Sequence, residues 1–163
     1  MASLARADLA TATHHRFFLV APGDFVTTPK LAEAVAMGGA GGPIPVLVLP
    51  RGATDARAFP YSSWIDYCEA AFVVSARTAT DDLRGVLDRL SRVGAAEAAA
   101  KHAALRRLSA AFTVVPGSTV RQPSAAEHVL RSACESASAT RNGSAPRRWR
   151  APLAPGANRA CVL

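Results

Sequence analysis

Residues 17–49 constrain the fold of this chain more than any other stretch. Phe17-Phe18-Leu19-Val20-Ala21-Pro22-Gly23-Asp24 runs from an apolar segment into a Gly-containing loop. Thr27-Thr28-Pro29-Lys30-Leu31-Ala32-Glu33-Ala34 then opens a helix, and Pro43-Ile44-Pro45-Val46-Leu47-Val48-Leu49 forms a second apolar run. A strand, a short loop, a helix start and another strand make the βαβ unit of a parallel sheet. In such a unit the free N–H groups of the first helical turn and the positive end of its dipole face the loop, where an anion is stabilised. Lys30 adds a positive charge in that turn, and Glu33 adds an acceptor for sugar hydroxyls. Gly23 lets the loop approach a ligand closely, while Asp24, Thr27 and Thr28 add polar groups. The expected ligand is nucleotide-like, and these six residues are its candidate donor-binding set.

The chain has 163 residues, half of them apolar, enough for one domain with a core. Its net charge of +7 suggests nucleic acid until the charge is located. Five arginines (Arg141, Arg147, Arg148, Arg150, Arg159) lie in residues 137–163, a segment with no Asp or Glu, leaving 14 basic against 12 acidic residues elsewhere. A distributed basic face with aromatic platforms is absent from this pattern, so nucleic acid is not the expected partner. Cys68, Cys134 and Cys161 show no paired-ligand spacing. The expectation is no zinc site and no disulfide framework, with two small buried residues and one exposed tail thiol. No apolar run approaches the roughly 20 residues needed to span a bilayer.

Coarse periodicity fills in the rest. His15–Ala21 reads as a buried strand, Thr28 as the cap of a helix ended by Gly38-Gly39, and Ile44–Leu49 as a second buried strand. Gly38–Pro43 reads as a flexible insertion, and residues 59–64 as an aromatic loop that packs or lines a sugar site. Ala70–Ser75 is a third strand, and Thr80 the cap of a helix beginning Asp81-Asp82. That helix sets Leu83, Val86, Leu87 and Leu90 on one face. Ala95–Phe112 is a long helix, and Ser124 opens another. The fold class is therefore α/β, a Rossmann-like parallel sheet with flanking helices. Residues 1–14 are a frayed lead-in, 15–136 the domain, and 137–163 a disordered Arg-rich tail. Three strands are few, so the sheet is expected to need a further segment of polypeptide.

These residues resemble the donor-binding half of the exostosin family of glycosyltransferases. The family pattern runs roughly Phe-Cys-Leu-x-Pro-x-Gly-Asp, Ser-x-Arg-Leu-x-Glu/Asp-Ala, Gly-Cys-Ile-Pro-Val, then a Pro-Phe segment and a short strand ending in Ser. It is matched in order by Phe17–Asp24, Thr28–Ala34, Gly38 with Ile44–Val46, and Phe59–Ser75, and residues 125–130 look like the closing helix. The resemblance implies half of a GT-B fold that holds a uridine diphosphate sugar and transfers the sugar, with inversion and without a metal, to a glycan acceptor. It also implies a first GT-B domain as partner and the Golgi lumen as location. Phe18 stands where the family has Cys, and Lys30 where it has Arg. Leu49 and Pro50 replace an acidic residue, and Gly38–Pro43 is longer than the family's turn. Lysine neutralises phosphate without a bidentate fork, so weaker donor affinity is expected. No catalytic base is identifiable, and Asn142-Gly143-Ser144 is a glycosylation sequon. The competing reading is a non-catalytic α/β binding or interaction module.

Overall fold

A computed structural model describes residues 13–22, 29–62, 65–112 and 161–163, together with residue 11 and helical residues at 129–130, 133–134 and 137. Its centre is a three-stranded parallel sheet in the order β1 (Phe17–Val20), β2 (Ile44–Val48), β3 (Phe72–Val74). Phe17 lies opposite Ile44 and Val46 opposite Phe72, so the strands run in step. The α/β class is as expected. Each strand is shorter than its apolar run: β3 keeps only Phe72–Val74 of residues 70–75, and β2 stops at Val48, where one further bond from the Leu49 N–H closes the ladder.

Strand β2 is buried at every position, as a central parallel strand must be. It nevertheless contains Pro45, which cannot donate to a ladder. The Ile44 N–H bonds the Arg16 carbonyl on the β1 side, and the Leu49 N–H bonds the Val74 carbonyl on the β3 side. Alternation therefore aims position 45 toward β3, one residue before the Val46–Phe72 pairing begins. No ladder bond is lost. Strand β1 is an edge: Val20 is buried, but Leu19 on the opposite face is 61% exposed, so the expected continuous burial of this strand fails there.

Side chains alternate between two apolar clusters. Val20, Leu47, Leu49 and Val73 face one, and Ile44, Val46, Phe72 and Val74 face the other. Helix α1 (Pro29–Gly39), the short α2 (Tyr67–Ala70) and the long α5 (Ala95–Phe112) cover the first. Helix α4 (Leu83–Ser91) supplies Val86 and Leu90 to the second, while Leu83 and Leu87, expected on the same face, are exposed.

Helix α1 begins at Pro29, as expected, and α5 spans the expected residues. The Gly38–Pro43 stretch differs from the flexible insertion anticipated. It is a hydrogen-bonded helix end: the Gly42 N–H bonds the Met37 carbonyl at 2.9 Å, and Gly41 holds the left-handed φ of 89°. Gly38 and Gly39 serve a second purpose, because α5 crosses α1 there. A Cβ at Gly38 would lie 2.7 Å from Leu105 Cδ1, and one at Gly39 would lie 2.6 Å from Ser109 Cβ.

The expected Thr80 cap is also corrected. A short helix α3 (Ala76–Asp81) precedes α4, with Ser75 as its cap, and the Thr80 hydroxyl donates to the Ala76 carbonyl inside it. Asp82 caps α4 by accepting from the Gly85 N–H at 3.0 Å. A carboxylate outcompetes a hydroxyl for an N-terminal amide, so the helix starts where the acid is positioned to accept.

The cysteine expectation is overturned as well. Cys68 and Cys161 form a disulfide across 93 residues with Cα atoms 5.4 Å apart, and Cys134 is the exposed free thiol. Val162 pairs in parallel with Val73 on the outer edge of β3. The expected disordered tail is therefore wrong for residues 161–163. Average composition carried that expectation, and three apolar residues at the end of a polar segment do not alter an average. Ala137 is helical, residues 138–160 lie outside the described residues, and the lead-in is described only at residues 11, 13 and 14.

Lys101 on α5 secures the same corner. Its Nζ donates to the carbonyls of Ala71 at 2.8 Å and Cys68 at 3.1 Å, and lies 4.4 Å from the Phe72 ring centre. Burial lowers its pKa below the ordinary lysine value of 10.5, opposed by the nearby Glu97 and Asp66 and reinforced by Arg89. In the window just below 10.5 the unfolded chain holds more protons than the folded one, so this group makes stability rise with pH there. Wild type should gain stability over Lys101→Met across that window in parallel denaturant titrations. Equal slopes would show that Lys101 keeps its ordinary affinity for protons.

Candidate functional site

All three strands end on the same side of the sheet, so the loops that follow them share one edge. Parallel α/β sheets bind ligands along this carboxyl edge. After β1 the chain passes through residues 21–22 and re-enters the described structure at Pro29 and Lys30, both exposed in the first turn of α1. The Lys30 side chain is 59% exposed and its Nζ donates to Glu33 Oε2 at 3.0 Å. Two of the six sequence-derived candidates are thus brought together, in the first turns of the helix that follows β1. Gly23, Asp24, Thr27 and Thr28 lie outside the described residues.

The ends of β2 and β3 form a cleft of about 380 Å³. One wall is residues 50–53, where the Ala53 N–H bonds the Pro50 carbonyl at 3.1 Å and Gly52 takes φ 82°. This is a tight turn with glycine at the position that requires positive φ, and it presents the exposed Arg51. The other wall is Ser75, Ala76, Arg77, Thr80 and Asp81. Ser75 Oγ accepts from the Thr78 N–H at 2.8 Å, which fixes the start of α3. Arg77 Nε lies 3.4 Å from Asp81 Oδ2, an exposed i,i+4 pair of little energetic worth. The two guanidinium groups can therefore turn toward an anion at small cost.

Arg51 and Arg77 were not among the expected site residues. The sequence does carry a signal for them, a Pro-x-Gly exit from one buried strand and a Ser exit from the next. Their convergence depends on β2 and β3 being neighbours.

Other candidates resolve into structure. Phe59 is buried with its ring 5.3 Å from that of Tyr67, whose hydroxyl donates to the Pro60 carbonyl at 2.6 Å. Tyr61 packs edge-on against Phe112 at 6.1 Å. His102 Nδ1 pairs with the Gly38 carbonyl at 3.2 Å. Among the described residues no three His, Cys, Asp or Glu side chains gather to hold a metal, and no helix is long and apolar enough to cross a membrane. No family model, curated protein or solved structure matches the chain.

Proposed function

We propose that this chain holds the diphosphate of a nucleotide-linked sugar, a uridine diphosphate sugar by the family resemblance, along the carboxyl edge of its sheet. In that role it is the donor-binding half of an exostosin-like inverting glycosyltransferase acting on a glycan acceptor. The observation that carries this reading is the placement of three exposed cations, Lys30, Arg51 and Arg77, on segments that follow β1, β2 and β3. Lys30 and the first turn of α1 supply positive potential for the charge that grows on the departing diphosphate. Glu33, released from its pair with Lys30, accepts from ribose hydroxyls. Activation of the acceptor hydroxyl falls to a partner GT-B domain. The Cys68–Cys161 bond favours an oxidising compartment, in keeping with the Golgi lumen that the resemblance implies.

Calorimetric titration with uridine diphosphate, with adenosine diphosphate as control, tests this reading. Uridine-selective binding is expected, and it should be abolished in a Lys30→Ala, Glu33→Ala double variant. Arg51→Ala should weaken binding by roughly tenfold, the worth of one charge-assisted contact. Undiminished binding by the double variant would sink the site assignment.

One observation favours the second reading, a non-catalytic α/β module. The Lys30–Glu33 pair is closed on itself, so a ligand must open it. A cooperative melt unmoved by either nucleotide would select that reading.

A further inference from the structure

The outer edge of β3 is occupied by residues far away in sequence. Val162 bridges Val73 in parallel, and the Leu163 N–H bonds the Val73 carbonyl at 2.8 Å. Cys161 and Val162 pack on the cluster under α1 and α5, and Leu163 packs on the opposite one. Val162 and Leu163 thus face opposite sides of the sheet, as neighbours in a strand do, while Cys161 stays on the side of Cys68, to which it is bonded. All three are only half-buried, and one bridge joins them to the sheet. Contacts this sparse do not offset the entropy of ordering the segment. The covalent bond to Cys68, on the helix that leads directly into β3, supplies the missing constraint.

We propose that the outer edge of β3 is a docking groove for a parallel apolar strand, filled by the chain's own Cys161-Val162-Leu163, and that Cys68–Cys161 is its redox latch. The latch closes when the two thiols pass two electrons and two protons to a small-molecule disulfide, which leaves as two thiols. A dithiol reverses the step, taking the oxidised form itself, and the segment leaves the edge.

Thiol titration and amide exchange on the full chain test this directly. The unreduced chain should show one reactive thiol, Cys134, and three after treatment with dithiothreitol. Exchange of the Leu163 amide should accelerate at least about tenfold on reduction, while helix content by circular dichroism is retained. Three reactive thiols before reduction, or unchanged protection after it, would overturn the proposal.

Strand recognition is separated from the latch in a Cys134→Ser, Cys161→Ser variant, whose one thiol is Cys68. A synthetic peptide of residues 159–163, presented as its glutathione mixed disulfide, should couple to Cys68 roughly tenfold faster than the same peptide carrying Val162→Asp. Equal rates would show that the edge does not recognise a strand. The exchange measurement on the wild-type chain stands whether or not this variant folds.

Discussion

Truncating Leu105 to alanine should lower stability by about 3 kcal/mol, a fall in melting temperature of roughly 10 °C. Leu105 is wholly buried on α5, and its Cδ1 fills the space that a side chain at Gly38 would need. The glycine opposite offers no atoms to relax into the void, so the cavity persists and its cost adds to the lost transfer energy. The same geometry predicts coupling. Gly38→Ala alone drives a methyl group into Leu105, whereas in the Leu105→Ala background that collision is gone and only the Pro43 carbonyl, 3.0 Å away, still opposes it. A double-mutant cycle by urea denaturation should therefore show a favourable interaction of about 1 kcal/mol or more. Strict additivity would mean that the two helices do not meet at this point.

Gly39→Val should be nearly as damaging, by about 2 to 3 kcal/mol, and Leu105→Ala should not rescue it. Besides the Ser109 hydroxyl, whose Oγ lies 3.0 Å away, the blocking atoms are Ser109 Cβ at 2.6 Å and the Leu105 carbonyl oxygen at 3.2 Å. Neither can rotate aside, since one is the root of a side chain and the other is main chain. Relief requires α5 to withdraw from α1, which uncovers Leu31, Ala34 and Val35 beneath the crossing. Gly39→Val with unchanged stability by the same urea assay would show that the helices separate freely.

What the sequence discloses follows the range of the interaction. Helix α5 is legible to the residue because no glycine or proline interrupts Ala95–Phe112 and Gly94 stands before it. The strands are legible as apolar runs, but their ends are set by neighbours, so Ala70–Ser75 contracts to Phe72–Val74. The break between α3 and α4 rests on one residue, Asp82, with φ −139° and ψ 49°, in a stretch whose periodicity continues through it. The disulfide leaves no local trace, because a separation of 93 residues has no pattern to read. At the site, Lys30 and Glu33 are legible because they share one helical turn. Arg51 and Arg77 are not, since only the pairing of β2 with β3 sets their loops side by side.

The strand order also fixes a calendar for the fold. Each strand pairs with the one made just before it, so during synthesis the sheet extends outward in one direction and never waits for a later strand to fill a gap. Residues 161–163 break that rule, since their partner Val73 leaves the ribosome almost ninety residues earlier. For all that interval no later strand among the described residues pairs with β3, which stands as the apolar outer edge of the sheet. A nascent chain is therefore most exposed to wrong partners after β3 has formed and before Val162 arrives.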